Sequence, residues 1–315
     1  MNYTRWKKTL YYAIKPILPR SLQIVLRQIK ISFKARAVQD VWPIDALSGA
    51  KPDGWRGWPA GRAFAFVLTH DVESDRGVRR CLRLAQAEKD LGFVSSFNFV
   101  PERYLLSPKV REELVMRGFE VGVHDLKHDG RLFSSEKAFL KRVQTVNHYL
   151  ESWGAVGFRA GSMYHNLGWM HNMRIEYDSS TFDTDPFEPQ PDGLHTVFPI
   201  WIANRSGDGG YVELPYTLPQ DMTLFILQNR GDTRLWKEKL EWIANKGGMV
   251  LFISHPDYMN WPGEKKKIDE YPFELYREFL DHVRVKYEGQ YWNALPRDVA
   301  KFWRRSMAAH QVDRR

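Results

Sequence analysis

The sequence predicts an α/β fold in which parallel strands form a sheet that is closed, or nearly closed, into a barrel. Two observations support this prediction. From residue 63 onward, short apolar segments alternate with longer segments whose apolar residues recur at helical spacing, an order typical of strand–helix repeats. The first apolar segment, residues 64–68, is followed at once by ionisable residues and then by a helical pattern. This arrangement is typical of a buried parallel strand.

The predicted elements follow one another along the chain. Strands are expected at residues 63–69, 94–100, 119–123, 155–159, 195–200, 210–215, 222–227 and 248–254. Helices are expected at 76–91, 108–117, 135–152, 167–174, 232–246, 270–287 and 296–305. The helix at 135–152 has an apolar stripe at spacings of three and four, made of Phe139, Leu140, Val143, Val146 and Leu150. We therefore expect residues 63–305 to form one barrel domain, with a C-terminal tail at 306–315.

The positive charge of the chain is concentrated near its N-terminus. The 315 residues carry a formal net charge of +8, and residues 1–39 contain nine Lys or Arg and no Asp or Glu. Apolar residues are interleaved with these charges, which predicts an amphipathic helical arm. Such an arm either packs on the barrel with its basic face in solvent or lies on an anionic membrane surface. Residues 40–62, which contain several Pro, Gly and Trp, are expected to link this arm to the barrel.

Composition argues against several classes of protein. The one cysteine, Cys81, cannot form an intramolecular disulfide, which is consistent with a reducing compartment. Outside residues 1–39 the chain has 37 basic and 38 acidic residues, so the barrel is not expected to bind nucleic acid. No apolar stretch approaches the length of a transmembrane helix, and no signal-peptide pattern is present. We therefore expect a cytoplasmic protein that the arm could attach peripherally to the inner face of the membrane.

Ionisable residues follow the first and third predicted strands. Asp71 and Glu73 follow the first strand, and His124 and His128 follow the third. Because chemistry in α/β folds collects at the carboxyl ends of parallel strands, these side chains are expected to meet at one rim. Two histidines four residues apart can share a divalent ion if the chain turns helical there. The spacing alone is a weak signal, and its position after a strand strengthens it.

Polar groups also end the later strands. Arg159 follows the fourth strand, Asp178 and Asp183 lie in the next polar segment, and Glu213 and His255 come at or after the ends of two later strands. Each residue alone is compatible with a structural role, such as an ion pair for Arg159, a turn cap for Asp178 or a satisfied loop histidine for His255. Their order along the chain, taken together, indicates a site.

In order and context these residues resemble the motifs of the polysaccharide deacetylase family, also called the NodB-homology or carbohydrate esterase family 4. The resemblance covers residues 63–300. Residues 69–73, Thr-His-Asp-Val-Glu, occupy the place of the family's Thr-Phe-Asp-Asp motif, and residues 124–128, His-Asp-Leu-Lys-His, match the histidines of its His-(Ser/Thr)-x-x-His motif. Arg159 matches the arginine of Arg-x-Pro, although the proline is missing. Asp178 and Asp183 lie near the fourth motif, without its tryptophan, and His255 matches the fifth.

The resemblance implies the family's distorted (β/α) barrel, here with an N-terminal helical extension, and a bound divalent metal, expected to be zinc although other ions are open. It implies that His124 and His128 are metal ligands, Asp71 the general base, His255 the general acid and Arg159 the residue that orients Asp71. The family's third ligand directly follows the base, where this chain has Val72. Alternate residues of a strand face the same side, so Glu73 is the expected third ligand, with Asp178, Asp183 and Glu213 as supporting residues. In the alternative, Asp71 binds the metal, no separate base remains and the enzyme is weak or inactive.

The implied function is hydrolysis of a carbon–nitrogen bond other than a peptide bond. We expect removal of an N-acyl group, acetyl first, from an amino sugar or a glycan intermediate, as in bacterial surface glycan biosynthesis. Two alternatives stay open: hydrolysis of another amide, such as a formamide or cyclic imide, and a catalytically silent barrel that binds glycans through its aromatic residues. No Gly-x-Ser-x-Gly elbow or phosphate loop is present. A glycosidase with Glu73 and Glu213 as paired carboxylates would leave the two histidines unused.

Overall fold

The computed structural model describes residues 19–204, 207 and 209–313. It confirms the α/β fold, with a curled and mostly parallel sheet covered by helices. The helices are α1 (Arg20–Ala37), α2 (Asp75–Asp90), α3 (Pro108–Met116), α4 (Glu136–Trp153), α5 (Arg234–Lys246), α6 (Phe273–Lys286) and α7 (Pro296–Asp313). The strands are β1 (Phe64–Val72), β2 (Ser95–Phe99), β3 (Glu120–His124), β4 (Gly157–Arg159), β5 (Tyr177–Asp178), β6 (Ile200–Ala203), β7 (Gly210–Glu213), β8 (Met249–Ser254), β9 (Met259–Asn260), β10 (Tyr271–Pro272) and β11 (Tyr291–Asn293).

The sheet is built around β1. Along one edge β1 pairs with β8, and along the other it pairs with β2 and, near its start, with β11. The sheet continues from β2 in the order β3, β4, β5, β7 and β6, and only the β6–β7 pairing is antiparallel. Irregular segments join the far side to β8, because Met249 N donates to Val197 O (2.7 Å) and Thr217 N donates to Leu251 O (3.0 Å). These bonds complete a distorted barrel.

Burial follows the predicted patterns most closely in β1 and α4. All nine residues of β1 are buried, as expected for a strand that has neighbours on both edges and helices outside. Four residues of the apolar stripe of α4 are buried in the core, Phe139, Val143, Val146 and Leu150, whereas Leu140 is 45% exposed. The helix begins where Ser135 Oγ accepts a hydrogen bond from Ala138 N and ends at Gly154, whose φ of 62° places it in the left-handed region. Local capping and periodicity therefore account for this element.

Residues 19–62 pack against the barrel. Helix α1 packs on residues 222–227, with Gln28 Nε2 donating to Ile226 O at 2.8 Å, and Trp42 and Trp58 are buried in the main core. The described part of the predicted arm therefore packs on the barrel, as one of the two expected arrangements has it. Residues 1–18 of the predicted arm lie outside the described residues. In the part of the chain that is described, no helix combines the length and hydropathy needed to cross a bilayer.

Several predicted elements were wrong. The apolar run at 222–227 is a π-helix and not a strand; a short apolar run cannot be distinguished from a buried helical segment by periodicity. The predicted helix at 167–174 is only a short turn of 3₁₀-helix, Trp169–Asn172. The last helix, α7, also extends past its predicted end at residue 305, to Asp313. The strand predicted at 195–200 begins only at Ile200, as β6. Strands β5, β9, β10 and β11 were not predicted, since each has only two or three residues and owes its conformation to its neighbours.

Candidate metal centre and active site

A cavity of about 570 Å³ lies at the carboxyl ends of the central strands. Asp71 near the end of β1 and Glu73 directly after it line this cavity. His124 at the end of β3, His128 in the following loop and His255 directly after β8 line it as well. The fold thus brings together five of the residues singled out in the sequence, because parallel strands present their carboxyl ends on one rim. Arg159, at the end of β4, is fully buried behind Asp71.

Asp71 is a carboxylate with a fixed orientation. Its Oδ1 accepts hydrogen bonds from Arg159 Nη1 at 2.9 Å and from Asn98 Nδ2 at 3.1 Å. Burial alone would raise the pKa of Asp71, but the positive charges of Arg159, His124 and His255 outweigh it and lower this pKa to about 2. Asp71 is therefore ionised at neutral pH, and its Oδ2 lies 3.9 Å from His124 Nε2.

Arg159 is itself held rigidly. Besides Asp71, its Nη1 bonds Thr69 Oγ1 at 2.8 Å, and its Nε and Nη2 bond the carbonyl and hydroxyl oxygens of Ser179, each at 2.8 Å. The planar guanidinium is needed to reach all these acceptors at once. Arg159 therefore fixes both the charge and the position of Asp71.

Glu73, His124 and His128 form a group of three possible metal donors. Their carboxylate and imidazole donor atoms all lie within 4.8 Å of one another. His124 Nδ1 is 3.1 Å from the carbonyl oxygen of Arg159. This hydrogen bond requires the proton on Nδ1 and leaves Nε2 with a free lone pair.

The surroundings of His128 also fit a metal ion. His128 Nε2 lies 3.1 Å from Glu73 Oε1, yet it is buried and makes no hydrogen bond within the described residues. Two ligand atoms of a tetrahedral zinc ion are expected to lie about 3.3 Å apart, close to the 3.1 Å between His128 Nε2 and Glu73 Oε1. Two imidazoles and one carboxylate are also a donor set that zinc accepts. The residues present therefore fit a divalent ion.

Glu73, and not Asp71, belongs to this donor group. Burial opposes the charge of Glu73, but the nearby charge of His128 lowers the pKa of Glu73 well below its usual value. Tyr258 Oη also donates a hydrogen bond to Glu73 Oε2 at 2.9 Å. Val72 between the two carboxylates is buried in the core. The alternation of the strand thus brings both carboxylates to the cavity while the residue between them packs inside.

His255 is oriented by a buried carboxylate that sequence reasoning missed. Asp221 accepts from His255 Nδ1 and from its backbone N–H, both at 2.7 Å, and from Tyr271 Oη at 3.0 Å. Burial would lower the pKa of His255, but the charge and hydrogen bond of Asp221 raise it to about 10. His255 is therefore a cation at neutral pH. The signal that could have identified Asp221 is its place as a lone acidic residue directly before the apolar run at 222–227. There Asp221 caps the π-helix.

Asn98 was missed as well. It is a polar residue in β2 between Phe97 and Phe99, and its amide donates to Asp71. Gly122 on β3 leaves room for it, since a Cβ at that position would lie 2.3 Å from Asn98 Oδ1. A polar side chain inside an aromatic strand was the signal that could have identified Asn98.

Asp178, Asp183 and Glu213 do not line the cavity. Asp178 and Glu213 are fully buried and face each other in the β5–β7 pairing, and burial raises the pKa of both. Asp183 forms a buried ion pair with Lys239 at 2.8 Å, and burial raises its pKa to about 6. The structure therefore places all three behind the rim, where they join neighbouring segments. Because Glu213 lies outside the cavity, it is not paired with Glu73 as a glycosidase would require.

We expect Gly161→Ala to weaken metal binding without unfolding the protein. A Cβ at Gly161 would lie 2.5 Å from Asp125 Oδ2 and 3.0 Å from His128 Cδ2, so the loop that holds His128 must shift. The matched control is Gly168→Ala, because a Cβ there meets Asn166 Oδ1 at an ordinary 3.4 Å. Zinc titration and thermal unfolding of both variants test this. Equal zinc affinity in the two variants would contradict it.

The fold can now be compared with known proteins. No protein-family model matches the sequence, and no curated protein matches it. A candidate polysaccharide deacetylase from Mycobacterium smegmatis is 20% identical over 82% of this chain and 96% of its own, with a TM-score of 0.60. The allantoinase PuuE is 16% identical over 83% of this chain and 97% of its own, with a TM-score of 0.57. A candidate polysaccharide deacetylase from Pseudomonas aeruginosa PAO1 is 16% identical over 84% of this chain and 98% of its own, with a TM-score of 0.57.

These likenesses extend over nearly the whole of each solved chain, at identities that establish the fold alone. The distorted barrel implied by the sequence motifs is therefore confirmed. The resemblance to the polysaccharide deacetylases holds at the level of the fold, which this chain shares with two candidate polysaccharide deacetylases and an allantoinase.

Proposed function

We propose that the protein is a metal-dependent hydrolase that removes an N-acyl group, acetyl in the first instance, from an amino sugar or glycan. The observation that carries the proposal is that one cavity contains a metal donor group and two separate proton-transfer groups. Glu73, His124 and His128 form the first, and Asp71 and His255 the second. The fold shared with candidate polysaccharide deacetylases supports the same reaction class.

The protonation states of the two transfer groups suit amide hydrolysis. A divalent ion, proposed to be zinc, held by Glu73, His124 and His128 would polarise the amide carbonyl and acidify water. Asp71 is ionised and accepts the proton of the attacking water. His255 is protonated and donates a proton to the departing amine nitrogen. Arg159 and Asp221 keep these two residues in opposite protonation states.

A second candidate is hydrolysis of a cyclic amide. The observation in its favour is that an allantoinase shares the fold at a TM-score close to those of the candidate deacetylases. Asp71 and His255 could serve ring opening in the same two roles, since it also needs a base for water and an acid for the leaving nitrogen. The two candidate reactions therefore differ in their substrates, and the roles of Asp71 and His255 do not distinguish them.

Metal removal combined with a substrate panel tests the proposal. We expect protein treated with a chelator to lose turnover and to regain it with zinc, and acetate to be released from N-acetylated amino sugars, nucleotide sugars or glycan fragments. His128→Ala should abolish zinc binding, whereas His148→Ala, at an exposed histidine on α4, should not.

Three outcomes would count against the proposal. Ring opening of allantoin without acetate release would favour the cyclic-amide reaction. Full turnover after metal removal would exclude metal dependence. Zinc bound by the wild type without turnover on any amide would favour a silent, glycan-binding barrel.

A further inference from the structure

Helix α1 presents two faces with different surroundings. Its inner residues Gln23, Arg27 and Ile31 line the catalytic cavity. Its outer face carries large apolar side chains that are between 43% and 74% exposed: Leu22, Val25, Leu26, Ile29 and Phe33. These positions recur at helical spacing and form one stripe. An element that walls the cavity therefore has an apolar face that the described residues leave largely exposed.

Two loops at the cavity repeat this arrangement. Arg103 lines the cavity, and Leu105, two residues later, is 93% exposed. Asp269 also lines it, and the preceding Ile268 is 59% exposed and follows three exposed lysines at 265–267. Single exposed apolar residues are normal on a protein surface. Here they come from three segments that wall the same cavity, and we call this set the rim surface: the stripe of α1, Leu105 and Ile268.

Positive charges predominate beside the rim surface, because the neighbouring acidic residues Glu102 and Asp269 form ion pairs with Lys127 and Arg76. Helix α1 contains five Lys or Arg and no acidic residue, and Lys265, Lys266 and Lys267 precede Ile268. A second copy of the chain would bring the same charges together and be repelled. Anionic lipid headgroups complement them, because basic residues close to a bilayer surface are attracted to its negative charge. Exposed apolar side chains flanked by Lys and Arg are characteristic of helices that lie in a membrane interface.

We propose that the rim surface docks on an anionic bilayer, with α1 lying in the plane of the interface. Leu26, Phe33 and Leu105 would enter the headgroup region, while the lysines contact lipid phosphates. The cavity would then face the headgroup layer. In a step that rests on the proposed function, this position favours an amino sugar attached to a lipid over a free sugar as substrate.

Co-sedimentation with vesicles tests the docking without requiring turnover. The full-length protein should bind vesicles of phosphatidylcholine mixed with phosphatidylglycerol, should not bind pure phosphatidylcholine, and should dissociate as salt screens the charges. The double variant Phe33→Glu/Leu105→Glu should lower the partition coefficient at least about tenfold. The matched control is Met116→Glu/Val285→Glu, at residues that are 74% and 72% exposed and do not line the cavity.

The outcomes separate docking from catalysis. Loss of binding only in the rim variant, with unchanged turnover of a soluble N-acetylated sugar, supports the proposal. Binding that is absent, equal on neutral vesicles, or equally weakened by the control variant overturns it. Self-association that Phe33→Glu abolishes, without vesicle binding, would identify a second copy of the chain as the occupant. If the wild type binds vesicles but hydrolyses no amide, the docking stands and the proposed function fails.

Discussion

Replacing Asp71 by Asn is expected to lower kcat by roughly 10²- to 10⁴-fold, the usual loss when a general base is removed, while zinc stays bound. The amide has the shape of the carboxylate and its oxygen can still accept from Arg159 Nη1 and Asn98 Nδ2. It cannot accept a proton from water near neutral pH. Because Asp71 is outside the donor group of Glu73, His124 and His128, the affinity for zinc should change little.

Glu73→Gln is the matched control and should give the opposite result. It replaces a charged oxygen donor by a neutral one, so zinc should bind at least about 10- to 100-fold more weakly, the range seen even for residues that only support a ligand. Turnover should partly return at high added zinc. Bound zinc and kcat measured on the same samples distinguish the variants. If Asp71→Asn empties the site and Glu73→Gln leaves it full, the two roles are reversed and no separate base remains.

The second large effect is expected at Asp221. Its charge and hydrogen bond raise the pKa of His255 to about 10 against the opposing effect of burial. In Asp221→Asn that support is lost, and burial then favours the neutral imidazole. In the wild type the raised pKa keeps His255 protonated up to alkaline pH. In the variant His255 should therefore lose its proton, and with it the role of general acid, at a lower pH. The alkaline limb of the kcat profile should move to lower pH, and kcat at slightly alkaline pH should fall by roughly 10²- to 10⁴-fold.

Tyr271→Phe serves as the control for Asp221→Asn. It removes a neutral donor to Asp221 Oδ2 without changing any charge, so the alkaline limb should hardly move. His255→Gln should lower kcat as far as Asp221→Asn does at alkaline pH, with zinc content unchanged in both. If Asp221→Asn or His255→Gln instead empties the metal site, His255 is a ligand and the assignment of the general acid is wrong.

Residues whose position depends on local periodicity could be predicted from the sequence. Asp71 and Glu73 share a face because a strand repeats every two residues. His124 and His255 reach the same rim because parallel strands end together. The limits of β1, β2, β3 and α4 were predicted within a few residues. The apolar pattern and the capping residues that predict these limits lie within each segment. The barrel and five of the residues that line its cavity could thus be predicted from the chain alone.

The surroundings of these residues depend on contacts between distant segments of the chain. Asp221 lies 34 residues before His255, and Asn98 lies 27 residues after Asp71. Neither pairing follows from any repeat in the chain. Helix α1 walls the cavity because its inner face packs on the π-helix at 222–227, a segment whose own conformation the pattern did not predict. Contacts between distant segments depend on packing and desolvation, which act only once the barrel has formed, and they set the protonation of the site and the shape of its rim.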